Sequence, residues 1–320
     1  MRRLLSCLAI GLAVMAQPPA QAQPYPSRTL RIIVPYAPGG GTDFIARLIA
    51  QKLSVRLGQQ VIVENRPGAG GNLGAEIALK AAPDGYTLLL ANASYTVNPS
   101  VYKLAFDPLN DISPVIQLSQ GPFVAAVHPS LPVKTLQDLV ELAKRDPDRL
   151  SYGSAGNGSI SHLVAEYFLD ASGIRATHIP YKGTGPALAD TVAGNVQLTF
   201  GSVATTLQYV KSGRLRGLAV TTAKRIPAAA DLPTVDEAGY PGFLAVSWHG
   251  LLGPKGIPKQ IVERLNREVS QALTDRDMEA LLATDGVTPA GGTPAEFLSL
   301  LGAETARWGK IVRKAGIKSE

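Results

Sequence analysis

Glycine-rich turns between strand-like and helix-like segments constrain this chain more than any other feature. Pro38-Gly39-Gly40-Gly41-Thr42-Asp43 follows the apolar run Leu30–Val34, and Gly153-Ser154-Ala155-Gly156-Asn157-Gly158-Ser159 follows Leu150-Ser151-Tyr152. Pro67-Gly68-Ala69-Gly70-Gly71-Asn72-Leu73-Gly74 is a third. Glycine adopts positive φ without a Cβ clash, so such turns also form where no ligand binds. They leave backbone N–H groups unpaired and aim them, with the helix dipole, at one point, which attracts an anion. Two such turns, far apart in sequence, predict two lobes that share one anionic ligand.

Strand and helix patterns alternate along most of the chain, which predicts α/β layers. Strands are expected at Thr29–Val34, Val61–Glu64, Tyr86–Ala91, Leu150–Gly153, Thr177–Pro180, Val196–Phe200 and Leu215–Thr221. Ile112–Val127 reads as two extended segments broken near Gln120-Gly121-Pro122. Asp43–Leu57 reads as a helix with Phe44, Ile45, Leu48, Ile49, Leu53 and Leu57 on one face, stopped by Gly58. Further helices are expected after the third turn to Ala82, at Leu136–Lys144, and after Ser159 on the spacing of Ile160, Leu163, Val164, Tyr167 and Phe168. Pro186 suits the first turn of a helix ending at Gly194. Lys259–Thr274, Asp277–Ala283 and Pro294–Ala315 complete the set. The second lobe reads as an insertion in the first. Domain 1 is expected to comprise residues 23–121 and 245–320, and domain 2 residues 122–244. The chain leaves domain 1 near Gly121 and returns near Leu244–Gly250. Two crossings make a hinge, and ligands favour such clefts.

The first residues read differently. Met1-Arg2-Arg3, the 13-residue apolar run Leu4–Ala16 and the small-x-small pattern Ala20-Gln21-Ala22 form a secretory signal peptide over residues 1–22. The run is too short to span a bilayer. The single cysteine, Cys7, lies inside it, so the mature chain of about 298 residues carries neither disulfide nor thiol chemistry. Losing Arg2 and Arg3 lowers the net charge from +6 to +4. The basic residues are scattered and not interleaved with aromatics, which argues against nucleic acid as a partner. An exported soluble protein is the consistent reading.

Enzyme signatures are missing. There is no phosphate loop, and the nearest dinucleotide pattern, Gly68-x-Gly70-x-x-Leu73, fails at its third glycine. Tyr152 stands where a nucleophile elbow around Ser154 needs glycine. His128, His162, His178 and His249 show no metal spacing, and no cofactor is expected. His162, three residues after Ser159, reads either as a surface or capping histidine or as a group shaping the cleft. Asp43 reads as an acid in the first turn of its helix, stabilising the dipole by about 0.3–1 kcal/mol, provided it points away from a bound carboxylate. The alternative function is an exported hydrolase or lyase using His162, Asp43 or Lys182; a ligand-sensing subunit for a signalling partner is a third. The preferred reading is a binder of small carboxylates.

A series of phrases in order resembles one known family. They are Val34-Pro35-Tyr36-Ala37-Pro38-Gly39-Gly40-Gly41-Thr42-Asp43, Glu64-Asn65-Arg66-Pro67-Gly68-Ala69-Gly70-Gly71, Pro83-Asp84-Gly85-Tyr86-Thr87-Leu88, Tyr152-Gly153-Ser154-Ala155-Gly156-Asn157-Gly158 and His178-Ile179-Pro180-Tyr181-Lys182-Gly183. Leu218-Ala219-Val220-Thr221, Leu232-Pro233-Thr234-Val235-Asp236-Glu237-Ala238-Gly239 and Trp308-Gly309-Lys310 follow. The chain thus resembles the substrate-binding proteins of tripartite tricarboxylate transporters, the Bug family, over nearly its whole mature length. That resemblance implies a monomeric periplasmic receptor with a two-lobed type II periplasmic binding protein fold. A carboxylate would rest on Ala37, Gly39, Gly40, Gly41 and Thr42 from one lobe. Ser154, Ala155, Gly156, Asn157 and Ser159 would hold it from the other, beside His162. Tyr181, Lys182 and Gly183 would close over it, with Gly70, Asn72 and Asn92 as further cleft positions. Membrane permease subunits would be the partners. Many members carry Asp after Phe200 where this chain has Gly201, which removes a polar contact to the ligand's far end.

Overall fold

In β1 (Leu30–Val34), neighbouring Ile32 and Ile33 are both buried, and they point to opposite sides of one sheet. A strand that is apolar on both faces needs helices on both faces. The computed structural model describes residues 25–39, 41–146, 149–181, 183–284 and 286–317. The expected signal peptide, Gly40 and Lys182 lie outside the described residues.

β1 pairs in parallel with β2 (Val61–Asn65) and β3 (Thr87–Asn92), linked by α1 (Gly41–Leu57) and α2 (Asn72–Leu79). Ile32, Leu88 and Leu90 pack on Ile45, Ile49 and Leu53 of α1. Ile33, Leu89 and Ala91 face the other way, onto Ala75, Ala78 and Leu79 of α2. Phe44, expected on the buried stripe, is 38% exposed, because it stands at the stripe's edge beside Ile45. Next come α3 (Ser94–Val101), β4 (Ile112–Val127) and α4 (Leu136–Arg145), whose Thr135–Asp138 capping box marks its start.

A second set follows: β5 (Ser151–Ser154), α5 (Ile160–Ser172), β6 (Thr177–Pro180), α6 (Thr184–Ala193), β7 (Leu198–Ser202), α7 (Val203–Lys211) and β8 (Arg216–Val220). β6, β5 and β7 are parallel neighbours. The chain returns through β9 (Val246–Pro254), α8 (Lys259–Leu273), α9 (Arg276–Thr284), β10 (Thr288–Gly291) and α10 (Pro294–Ala315). The strand order is β2-β1-β3-β9-β4-β7-β5-β6, with β8 and β10 also on β4. The fold is therefore two-lobed α/β, as expected.

β4 is one strand of 16 residues and not two segments. Its first part pairs with β9 and β10, and its last five residues pair with β7 and β8. Gly121 and Pro122 mark the transfer between sheets, not a break. A Cβ on Gly121 would stand 2.5 Å from Val287 Cγ1, so only glycine passes there. Thr221 braces this crossing: its Oγ1 donates to Ala245 O (2.6 Å) and accepts from Phe123 N–H (2.8 Å). Ser247 Oγ donates to Gly121 O at 3.1 Å.

α10 adds a link between the lobes. Its 22 residues extend roughly 33 Å. Phe297 and Leu301 pack with Trp248 and Leu252 of the first lobe, while Trp308 and Val312 join Leu163, Phe168 and Phe200 in the core of the second. Lys314 Nζ lies 2.8 Å from the Asp170 carboxylate of α5.

Candidate functional site

The chain turns from the C-terminal end of β1 into α1 through Pro35–Gly39. The Gly39 N–H, at φ 88°, donates to Asp43 Oδ2 (3.0 Å). Asn65 Nδ2 and Arg47 Nε donate to the same carboxylate, each at 2.9 Å. Burial alone would raise the Asp43 pKa, but bonds from Arg47, Gly39 and Asn65 hold it below the usual value. The acid is thus tied back into its own lobe, and the Gly39 amide serves this turn internally. The N–H groups of the first helical turn of α1 remain outside the intrahelical ladder.

A polar chain lies under this turn. Tyr36 Oη and the Ser94 N–H donate to Asn92 Oδ1 at 2.9 and 3.1 Å, and Asn92 Nδ2 donates to Thr42 Oγ1 at 3.1 Å. Thr42 Oγ1 lies 3.4 Å from His249 Nε2, and His249 Nδ1 lies 3.1 Å from Ser119 Oγ. His249, on β9, is 8% exposed, and burial pushes its pKa down to about 4. Asn92 and Thr42 therefore act first as the frame of the turn. In the third turn, Asn98 Nδ2 donates to Gly70 O (3.0 Å) and Asn72 Oδ1 (2.7 Å). Cβ atoms at Gly70 and Gly71 would each stand 3.0 Å from a tyrosine hydroxyl, of Tyr102 and Tyr36. Tyr36, Asn98, Tyr102, Ser119 and His249 carry no local signal that marks them as site residues.

In the second lobe, β5 ends at Ser154 and α5 starts after Ser159, whose Oγ caps the His162 N–H at 3.3 Å. Ser154 Oγ accepts from the Gly156 N–H (3.1 Å), and the Gly158 N–H donates to His162 Nδ1 (3.1 Å). His162 is 5% exposed, so it is neither a surface group nor a simple cap. Tyr181 and Gly183 lie alongside: the Tyr181 N–H donates to Ser154 O and the Gly183 N–H to Ala155 O, both at 3.1 Å. Tyr181 Oη donates to Asp190 Oδ2 (2.6 Å). Gly156 needs its φ of 127°, and a Cβ there would stand 3.0 Å from Tyr181 O. The lobes meet where Gly158 faces Val101 of α3; a Cβ on Gly158 would be 3.1 Å from Val101 Cγ1.

Gly201 leaves no room for a side chain. A Cβ would stand 2.0 Å from Thr206 Oγ1, so the Thr206 side chain occupies that space. Ser154 Oγ and His178 Nε2 are 2.6 Å apart, which resembles a nucleophile and base. Ser154 is 1% exposed, however, and no carboxylate bonds to His178 among the described residues. A nucleophile that substrate cannot reach does no acyl chemistry. Among the described residues there is no group of three His, Cys, Asp or Glu placed to hold a metal, and no helix long and apolar enough to cross a membrane.

The sequence pattern of the tripartite tricarboxylate transporter family receptor matches residues 45–317. Protein BugT of Bordetella pertussis is 36% identical, over 99% of this chain and 99% of its own length. An R. palustris protein solved with adipate superposes with a TM-score of 0.86 at 38% identity, over 92% of this chain and all of that one. The Rhodopseudomonas palustris protein MatC, solved with malate, gives a TM-score of 0.82 at 33% identity, over 90% of this chain and all of that one. The family is one of receptors, which sets aside the hydrolase or lyase alternative. A two-lobed α/β fold with a glycine turn in each lobe, matched along nearly its whole length by such receptors, belongs to the tripartite tricarboxylate transporter family of receptors.

Proposed function

We propose that this receptor captures a small di- or tricarboxylate between its two lobes and delivers it to the membrane permease subunits of a tripartite tricarboxylate transporter. One observation carries the reading. Each lobe ends a parallel strand in a glycine turn whose own side chains are bonded inward, Asp43 in one and Ser154 and His162 in the other. The following helix N-terminus is left as the donor that faces out. No arginine is needed, because a carboxylate takes two or three N–H bonds worth about 1.5–3 kcal/mol each. The adipate and malate held by the two similar proteins are of this chemical class.

The signal-peptide pattern of residues 1–22 supports export and work in the periplasm. The lobes correspond to residues 23–121 with 245–320, and 122–244; closure by rotation at β4 and β9 brings both turns onto one ligand, while α10 limits its range. The proposed contacts are Ala37, Gly41 and Thr42, then Ala155, Gly156, Asn157 and Ser159, with Tyr181 and Gly183 at the rim.

Calorimetry with adipate, malate and their diamides tests this reading. Acids that bind while diamides do not would support it; equal affinity for acid and diamide would overturn it. A carboxylate at 100 times its Kd raises the stability by about 2.7 kcal/mol, which a thermal shift detects.

A further inference from the structure

Behind the second-lobe turn stands a column of three rings. Tyr152 of β5 stacks on His178 of β6 at 4.9 Å between centroids, and His178 stacks on His162 of α5 at 3.8 Å and 12°. Each imidazole touches the turn through one nitrogen. His162 Nδ1 accepts the Gly158 N–H, so its proton sits on Nε2, 3.9 Å from Glu166 Oε1. Ser154 Oγ already accepts from the Gly156 N–H, and its single proton has two acceptors in reach: His178 Nε2 at 2.6 Å and Gly156 O at 3.2 Å. The shorter contact makes His178 Nε2 an acceptor and places its proton on Nδ1. The two rings are therefore opposite tautomers, and both are neutral. An imidazolium has no acceptor. A proton on His162 Nδ1 removes the Gly158 bond; a proton on His178 Nε2 reverses the Ser154 bond and turns the Ser154 hydroxyl toward Gly156 O; and two cations at this spacing repel.

We propose that His162 and His178 are positioning residues for the ligand: as a pair of neutral acceptors they set the Ser154–Gly158 turn, and protonation of the stack releases that turn and the carboxylate it holds. The ligand half of this proposal rests on the carboxylate reading above; the turn half does not. The groups around the stack agree with it. Burial, then the neighbouring His178, pulls His162 down to about 3, and burial pulls His178 down to about 4. Glu166 of α5 is the acid beside His162; it accepts from Tyr152 Oη (2.5 Å), and burial raises its own pKa. Asp170, one turn further along α5, is paired with Lys314, and Asp190 of α6 is held by Tyr181. No cation faces the rings among the described residues.

The test uses the full mature chain. Two-dimensional 15N–1H NMR reads the tautomers at pH 7, and hydrogen exchange reads the protection of the Gly158 amide. The expected result is Nε2–H for His162 and Nδ1–H for His178. Gly158 protection should fall about fourfold from pH 7 to 2.5, because its acceptor His162 titrates near 3, while a core amide such as Leu89 stays protected. His162→Asn and His178→Gln keep an acceptor near the same point without titrating, so together they should abolish this fall. His162→Leu should lower Gly158 protection about tenfold already at pH 7. The opposite tautomer at either ring, or wild-type protection in His162→Leu, overturns the proposal. Adipate and malate titrations on the same samples address the ligand half. If the acids bind at pH 7, the Asn/Gln pair should retain affinity better than wild type at pH 3.5, and equal loss overturns release by the stack. If neither acid binds at pH 7, the carboxylate reading fails, while the tautomers and exchange still decide the role of the histidines in the turn.

Discussion

Replacing His249 by Gln should reverse the order of stability between neutral and mildly acid solution. His249 lies buried between Thr42 Oγ1 and Ser119 Oγ, with its pKa lowered to about 4 by burial. In the unfolded chain it titrates near 6.5. Above pH 6.5 both states are neutral and the histidine carries no penalty. Between 6.5 and 4 the unfolded chain takes up a proton that the folded one refuses, so stability falls by about 1.36 kcal/mol per pH unit. Below 4 both states are protonated and the loss stops growing. From pH 7 to 4.5 the wild type therefore loses about 2.5 kcal/mol through this group alone. Gln keeps a polar contact toward Thr42 and gives up the bond to Ser119, which costs about 1 kcal/mol at pH 7. The variant should be the less stable protein at pH 7 and the more stable one at pH 4.5, by about 1.5 kcal/mol. Urea unfolding of both proteins at the two pH values measures this, and every other titrating group cancels in the difference. Parallel losses in the two proteins would refute the argument: His249 would then be solvated or already charged in the fold.

Gly156→Val puts a branched side chain at φ 127° and against Tyr181 O, a strain of about 1–3 kcal/mol; adipate affinity measured by calorimetry should fall at least about tenfold with the circular dichroism of the fold retained, and full affinity would move the site out of this turn. Thr221→Val leaves the Phe123 N–H without its partner at the crossing strands and should cost about 1–3 kcal/mol by urea midpoint. An unchanged midpoint would show that the crossing does not depend on this brace. Phe297→Ala empties the space between Trp248 and Gly250 and should cost about 3–5 kcal/mol in the same assay.

Much of this protein is written locally. The α/β alternation, the helix starts at Thr135 and Thr293 and the glycine turns are each encoded within a few residues, by periodicity, capping oxygens and positive φ. Thr177–Pro180 and Pro294–Ala315 match the structure residue for residue. Local signals fail where burial comes from several sides. α3 has no local signature, because Ser94, Thr96 and Asn98 are buried along with Tyr95 and Val97 and no amphipathic stripe marks it. β9 is masked in the sequence by Gly250 and Gly253, which resemble loop residues; they are there because Phe297 and Ile257 press on a central strand. The sequence by itself determined that glycine turns precede helices, and that such turns suit an anion. Only the tertiary structure decided that Asp43 turns inward, that His249 lies under the first turn, and that His162 and His178 stack behind the second. Those placements depend on partners from distant strands and helices, and spacing along the chain does not record which distant residues will meet.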